Sequence, residues 1–497
     1  MNISINFNSS KNSSRSKNFK SLKTQFLLAF LINSFSNFSY ANTISEISLI
    51  RNDLICSRIE DTLFQLSEDH FISDLQGSLN EEKALYLNLV MHETWNLRLE
   101  INQNLSYLKN CEKSVRQLIT LARGIEDLAG FIKSQSPSLT GAQIDFQKQP
   151  IPMLENKSFY GYFTKNGSML NQPVELESGD LLVTRGTSFF SATLSSITEN
   201  PGDFSHFVLV HKNDQNQKVE TLESYAQTGG IARYDLEFAL KNENARILLL
   251  RPKFKPVAKK GAEYFYQQIL AEEKKLKPRT KYDYNLDLTT EDKMTCSEIA
   301  YWSYLKASNG TIRIPESKSA LPESLGPILD MAKIPRVPML SPQDMEVDSR
   351  FETLAEFKDY RLVQDTRMRD AILRNIFSWI NNKNYKLHQS IKSFILSYLI
   401  HPISRTPIWP MVKGFLNITI PKEAPKGFVR LLYQISDISE NIYSKLSPLN
   451  SSQMNEIGFP MTKHQMDLVI EKIRMDDLAA FENNQKNTFH SYFRENK

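Results

Sequence analysis

The spacing of apolar residues changes twice along this chain, and those changes limit the folds open to it. Between residues 44 and 134, Ile47, Ile50, Leu54, Ile55, Ile59, Leu63 and Leu66 recur at helical spacing. Asn80-Glu81-Glu82 supplies a cap and an acidic first turn for a second helical run, carried by Leu85, Leu89 and Leu99 past Cys111 towards Phe131. His92 falls among these apolar positions and reads as a core or boundary residue. From Gly179 the pattern becomes one of short strands. Beyond residue 363 it is helical again, with an apolar stripe at Leu387, Ile391, Phe394, Ile395, Tyr398 and Leu399 and further runs over 428–446 and 464–480.

The middle part reads as follows. Gly179 to Gly186 is a turn and a buried strand, and Ser188 to Ile197 a short helix. Phe204 to His211, Val219 to Tyr225 and Arg246 to Arg251 are three more strands, the last closed by Pro252. Lys259 to Lys275 is a helix, and a second helix begins near Cys296. Strands packed with a few helices make an α+β domain. Residues 135–172, with Pro150, Pro152 and Asn166-Gly167, read as a linker. Residues 311–348 hold six of the 21 prolines and read as an extended wrapping tail. The expected division is therefore 42–134 helical, 135–172 linker, 173–350 α+β with its Pro-rich tail, and 351–497 helical.

The first 41 residues stand apart. Lys11, Arg15, Lys17, Lys20 and Lys23 precede the short apolar core Phe26 to Ile32, and Ser39-Tyr40-Ala41 ends it with small residues. That is the layout of a cleaved signal peptide, so a secreted or periplasmic protein is expected. The apolar core is too short to span a membrane. In an oxidising compartment three cysteines divide naturally into one disulfide and one free thiol. Cys56 and Cys111 lie in the N-terminal third, where two antiparallel helices bring them together, and Cys296 is left over.

A free thiol in that position has chemical meaning. Lys293 to Tyr304 reads as a turn entering an amphipathic helix, capped by Thr295 or Thr290, with Cys296 in its first turn. The positive end of a helix dipole favours thiolate, the nucleophile of cysteine hydrolases. A buried, inert cysteine has the same local sequence. His206 lies inside an apolar strand, and alternation puts it on one face with Val208 and Val210, while Phe207, Leu209 and His211 take the other. On the next strand Val219, Thr221 and Glu223 share a face. A strand histidine beside a strand glutamate is how an imidazole is oriented as a general base. A half-exposed histidine at a strand end beside a solvated glutamate also fits that spacing.

Five short motifs occur in order: Gly179-Asp180-Leu181-Leu182, Ser205-His206 within Phe204 to Val210, Leu222-Glu223-Ser224, Tyr282-Asp283-Tyr284 and Thr295-Cys296-Ser297-Glu298-Ile299. The series resembles the circularly permuted papain-like cysteine hydrolases, in the YiiX/YaeF/YebB-like branch of the NlpC superfamily. It covers about residues 175–310, with Ser341-Pro342 as its tail, and leaves both helical flanks uncovered. The resemblance implies a permuted papain-like domain in which Cys296 is the nucleophile, His206 the general base and Glu223 the orienting residue. Asp180, Tyr282 and Asp283 match structural or site-lining positions. The chain departs from the family at Ser224, where a small alanine is usual, and at Thr295, where an aromatic often precedes the cysteine.

The implied chemistry is acyl transfer through a thioester, with no cofactor and no metal. Neither a metal-ligand spacing of the HExxH kind nor a nucleotide-binding glycine loop occurs. A net charge of +4 implies no general polyanion partner, so nucleic acid is not expected. The first substrate expected is an amide of cell-wall peptidoglycan. The second is an acyl lipid, as in the related lecithin:retinol acyltransferase group. A non-enzymatic binding module that keeps the fold is the third reading. Between Arg246 and Lys281 eleven Lys/Arg face three Glu. That stretch suits anionic lipid headgroups or wall polymers, or is a solvated basic helix.

Overall fold

A computed structural model of the chain describes residues 41–76, 80–135, 160–164, 175–241, 244–286, 288–337, 339–388, 398, 406 and 423–495. The signal-peptide segment at 1–41 falls outside them except for Ala41, and most of the 135–172 stretch does too.

The N-terminal region is helical: α1 (Ala41–Asn52), α2 (Cys56–Gln65), α3 (Glu68–Gln76), α4 (Asn80–Asn104) and α5 (Glu112–Gln135). Val115, Leu118, Ile119, Ala122, Ile125, Leu128, Ala129 and Ile132 form the buried stripe of α5, and pack with Leu87, Val90, Met91, Leu97 and Ile101 of α4. Cys56 and Cys111 are disulfide-bonded, with Cα atoms 5.6 Å apart and a sequence separation of 55. A link of that length contributes ~4 kcal/mol in the chain-entropy account. Cys296 is free and buried.

The described strands of the central region form one sheet. They are β1 (Tyr160–Thr164), β2 (Leu181–Gly186), β3 (His206–Lys212), β4 (Val219–Tyr225), β5 (Gly230–Asp235), β6 (Asn244–Pro252), β7 (Lys281–Tyr282), β8 (Lys293–Met294) and β9 (Phe351–Asp359). Their spatial order is β1-β9-β6-β2-β3-β4-β5-β7-β8, antiparallel at every pair except β7–β8. The class is thus mixed α and β. The short helix α6 (Phe189–Ser196) follows β2. One face of the sheet, with Leu182, Val208, Val210, Ile247, Leu249, Ala355 and Phe357, packs with Ala239 and Leu240 of α7 (Leu236–Lys241). The other, with Leu181, Val183, Phe207, Leu209, Leu222, Leu248 and Leu250, lies under α8 (Lys255–Glu273) and α9 (Cys296–Ala307).

Helix α8 presents Ala258, Ala262, Phe265 and Ile269 to the sheet at helical spacing. Gly261 sets how closely it meets α9. A Cβ there would stand 2.6 Å from the Ser303 hydroxyl and 2.7 Å from its carbonyl oxygen, so the helix that begins at Cys296 is held against α8 at bare-backbone distance.

Two boundaries expected from the sequence move. Tyr160–Thr164, inside the supposed linker, is the edge strand paired with β9. Phe351–Asp359, assigned to the helical C-terminal region, lies inside the sheet between β1 and β6. A fragment ending at residue 350 would therefore lose a sheet strand. The Pro-rich stretch, expected to be extended, contains the helix α10 (Gly326–Ala332), which shares a core with α11 (Tyr360–Asn382), α12 (Lys426–Ile457) and α13 (Lys463–Glu482), and with Phe189 and Ala192 of α6. Leu387 belongs instead to a two-stranded sheet of β10 (Tyr385–Leu387) and β11 (Phe493–Glu495). The rest of its stripe lies outside the described residues apart from Tyr398. No described helix is long and apolar enough to cross a membrane.

Buried charges join the N-terminal helices to the sheet. Arg98 donates to Glu126 at 2.9 Å and also to Glu356. Arg246 donates to Asp127 at 2.5 Å and to Glu356 at 3.2 Å. Lys358 binds Asp127 at 2.8 Å and also Glu126. Arg123 binds Asp203 at 2.9 Å and also Glu346. Four cations thus meet five carboxylates, and two of the carboxyls shift in opposite directions. Burial raises the Glu126 carboxyl even with Lys358 and Arg98 beside it. Against the same burial, Arg98, Lys358, Arg123 and Arg246 hold Glu356 well below the usual carboxylate range. Removing one partner from such a cluster strands a buried charge. Lys358→Met is expected to lower the unfolding free energy by about 3–5 kcal/mol in urea titration. Wild-type stability for this variant would contradict the cluster's structural role.

Candidate active site

The backbone around Cys296 is fixed before the thiol is considered. Thr295, rather than Thr290, caps α9. Its hydroxyl accepts from the Glu298 N–H at 3.4 Å, and Glu298 Oε2 accepts from the Thr295 N–H at 2.6 Å. This reciprocal capping box satisfies two of the helix-end donors. Glu298 Oε1 also accepts from the Leu288 N–H at 3.2 Å, which makes Glu298 a scaffold residue. The Ser297 hydroxyl donates to the Leu340 carbonyl at 2.8 Å, and the Ser224 hydroxyl to the Met294 carbonyl at 2.5 Å. Ser224 thus ties β4 to the turn that carries the thiol, a bond that alanine lacks.

His206 is the first residue of β3. The register sets Leu209 opposite Leu222 and Val210 opposite Thr221, which puts His206 and Glu223 on one face near one end of the sheet. His206 Nε2–H donates to Glu223 Oε2 at 2.8 Å, and the Thr221 hydroxyl donates to Glu223 Oε1 at 2.9 Å. With both oxygens engaged and the residue buried, Glu223 fixes the imidazole tautomer and leaves Nδ1 for another partner. The Tyr225 ring stands edge-on to the imidazole at 5.6 Å.

The Cys296 thiol is in hydrogen-bonding and Coulombic contact with His206 across 90 positions of sequence. Burial opposes charge on both groups, yet the pair prevails. Burial would lower the His206 pKa, but the adjacent Cys296 sulfur and then Glu223 raise it to about 10. Burial would raise the Cys296 pKa, but His206 lowers it, helped by the backbone N–H groups of Phe207 and Ser297 bonded to the sulfur. The arrangement favours thiolate and imidazolium, with the sulfur also at the N-terminus of α9.

Two clefts meet at this pair. The larger, about 630 Å³, is lined by Ser188, Phe190, Val208, Tyr225, Asn244 and Tyr282 among others, and its charged side chains are Cys296 as thiolate, His206 and Glu223. The smaller, about 380 Å³, is walled by Leu194, Leu286, Met339, Leu340 and Pro342 and also reaches Cys296. Leu194, Ser205, Tyr282 and Cys296 line both. Burial pushes the Tyr282 hydroxyl well above its ordinary value, so it stays protonated beside the sulfur.

The other residues singled out from sequence go elsewhere. His211 points to the opposite face, stacked on Tyr266 at 3.9 Å and bonded to Glu263 at 2.8 Å. Asp180 holds Arg251 at 2.8 and 2.7 Å, and Asp283 accepts from the Asn285 N–H at 2.9 Å; both are structural. His92 accepts from Asn96 within α4 at 2.9 Å. Of the eleven basic residues from Arg246 to Lys281, six pair with carboxylates: Arg246, Arg251, Lys255, Lys259, Lys277 and Lys281. Sequence reasoning placed Thr221 on the face of Glu223 and Ser205 in a motif with His206, but gave neither a role. Strand alternation carried a signal for Thr221, two positions from Glu223 on the same face. Ser205 stood next to His206 with nothing in the sequence to show its partners.

A lowered thiol pKa means that thiolate is present at lower pH, and the raised His206 pKa means that its positive partner persists until pH rises through about 10. The rate of Cys296 alkylation by iodoacetamide should therefore rise with pH around an inflection below that of an ordinary cysteine. In His206→Ala the inflection should move up by about 1–3 pH units. An identical profile in both proteins would show that the imidazole does not activate the thiol. No protein-family model, curated protein or solved structure matches this chain.

Proposed function

We propose that the protein is a cysteine hydrolase working by thioester acyl transfer, in a permuted papain-like domain where histidine precedes cysteine. The observation that carries this reading is the contact of the Cys296 thiol with an imidazole whose Nε2 is held by Glu223. In the first half-reaction the Cys296 thiolate attacks the substrate carbonyl carbon. The His206 imidazolium then gives its proton to the leaving nitrogen or oxygen as the tetrahedral intermediate collapses to a thioester. In the second, His206 takes a proton from water, hydroxide attacks the thioester, and the proton returns to the sulfur–imidazole pair as the acid leaves. Glu223 keeps the ring oriented and supports its positive charge.

The linings of the two clefts support the choice of substrate class. Apart from Cys296, His206 and Glu223 the larger is uncharged, and it offers Ser, Asn, Gln and Tyr side chains, which suits an uncharged peptide-like amide. An amide of cell-wall peptidoglycan, met after export, is the first reading. The apolar wall of Leu194, Leu286, Met339, Leu340 and Pro342 favours a second, an acyl ester whose chain lies in the smaller cleft.

Purified protein incubated separately with muropeptides and with phospholipid vesicles should release product from the muropeptides. Cys296→Ser should abolish release, and His206→Ala should reduce it by about 10²–10⁴-fold. Glu223→Gln should lose less, because the amide still accepts from the imidazole. Fatty-acid release from vesicles alone would select the ester reading. Turnover of either substrate by Cys296→Ser at the wild-type rate would refute the mechanism.

A further inference from the structure

Cys296 lines both clefts, so a carbonyl bonded to its sulfur lies at their junction, beside the side chains the two clefts share. The junction is lined by Leu194, Ser205, Tyr282 and Cys296, of which only Ser205 and Tyr282 carry hydroxyl groups. Ser205 is 4% exposed, and its N–H donates to the Thr184 carbonyl at 2.9 Å, which fixes its backbone beside His206.

A chain of hydrogen bonds from another part of the fold ends on this hydroxyl. Asp370 of α11 accepts from Arg185 Nη2 at 2.5 Å and from the Ser195 hydroxyl at 3.2 Å. Arg185, buried at the end of β2, donates through Nη1 to Ser191 Oγ at 2.7 Å and to the Gly186 carbonyl. Ser191 Oγ in turn meets Ser205 Oγ. A guanidinium only donates, so Ser191 Oγ is an acceptor towards Arg185. The positive charge at that end orients the next hydroxyl likewise, with oxygen towards Arg185 and hydrogen away from it. Ser191 then gives its proton to Ser205. The Ser205 oxygen has no other hydrogen-bond partner among the described residues, so its own proton faces the junction.

We infer that the Ser205 hydroxyl donates to the oxygen of the substrate carbonyl, and that Asp370, Arg185 and Ser191 are positioning residues that fix its direction. This rests on the hydrolase reading above. It also gives the C-terminal helical region a part in the reaction, through Asp370. As charge builds on the carbonyl oxygen, a donor already pointed at it stabilises the transition state without reorganisation. No bond to Ser205 forms or breaks.

Two reagents separate this role from thiol activation. Iodoacetamide alkylates a thiolate by displacing iodide, with no oxyanion. p-Nitrophenyl acetate acylates it through a tetrahedral oxyanion and releases p-nitrophenol. In the full-length protein, Ser205→Ala should leave the alkylation rate unchanged and slow acylation of Cys296 by about 10²-fold. Ser205→Thr, which keeps the hydroxyl, should recover most of that loss. Equal acylation rates in wild type and Ser205→Ala would overturn the role of Ser205 while leaving the nucleophile intact. A folded wild type whose Cys296 reacts with neither reagent would overturn the hydrolase reading, and this inference with it.

Discussion

The cluster of Arg98, Arg123, Arg246 and Lys358 with Glu126, Asp127, Asp203, Glu346 and Glu356 holds three regions of the chain in one body. Arg98, Arg123, Glu126 and Asp127 come from the N-terminal helices, Arg246 from β6, and Glu356 and Lys358 from β9. Desolvating so many charges is costly, and only near-complete mutual pairing offsets it. No one region can keep its share of them buried alone. Strand β6 pairs with β2, and β2 with β3, so the placement of His206 rests on a sheet that the N-terminal helices help to anchor.

The site is assembled by a different principle, backbone satisfaction at the end of a helix. The capping box of Thr295 and Glu298, the Ser297 bond to the Pro-rich tail and the Ser224 bond from β4 set the first turn of α9 before any charge is counted. Gly261 then lets α8 clamp that helix at contact distance. The thiol therefore sits where peptide N–H groups and an imidazolium favour its anion, although burial opposes it. Glu223, held by Thr221, does for the imidazole what the capping box does for the thiol: it leaves one orientation available.

What was legible in the sequence follows from this division. His206, Glu223 and Cys296 each break a local pattern, but spacing alone also fitted a boundary histidine, a solvated glutamate and an inert cysteine, and only the ordered series of short motifs singled them out together. The disulfide followed from an odd count and the grouping of Cys56 with Cys111. Strand β9 was missed because Glu356 and Lys358, on one of its faces, are buried against other charges, so it lacks the apolar signature of an interior strand. Strand β5 was missed because Gly230, in its first position, looks like a turn residue. There it is required because a Cβ would stand 2.1 Å from the Thr280 carbonyl oxygen. Ser205 stood in a motif with His206, but its partners could not be read from it, since the chain of bonds that ends on it starts at Asp370, far along the sequence.

The central claim is that folding turns Cys296 into a thiolate by setting it against His206. Because Cys56 and Cys111 are bonded to each other, the ultraviolet absorbance of thiolate in the unreduced protein reports on Cys296 alone. A pH titration of that absorbance should show thiolate already present near neutrality. The signal should be absent in Cys296→Ser, and should vanish at the same pH when the wild type is unfolded. A native protein whose thiolate appears only in the range of an ordinary, unpaired cysteine would contradict the account.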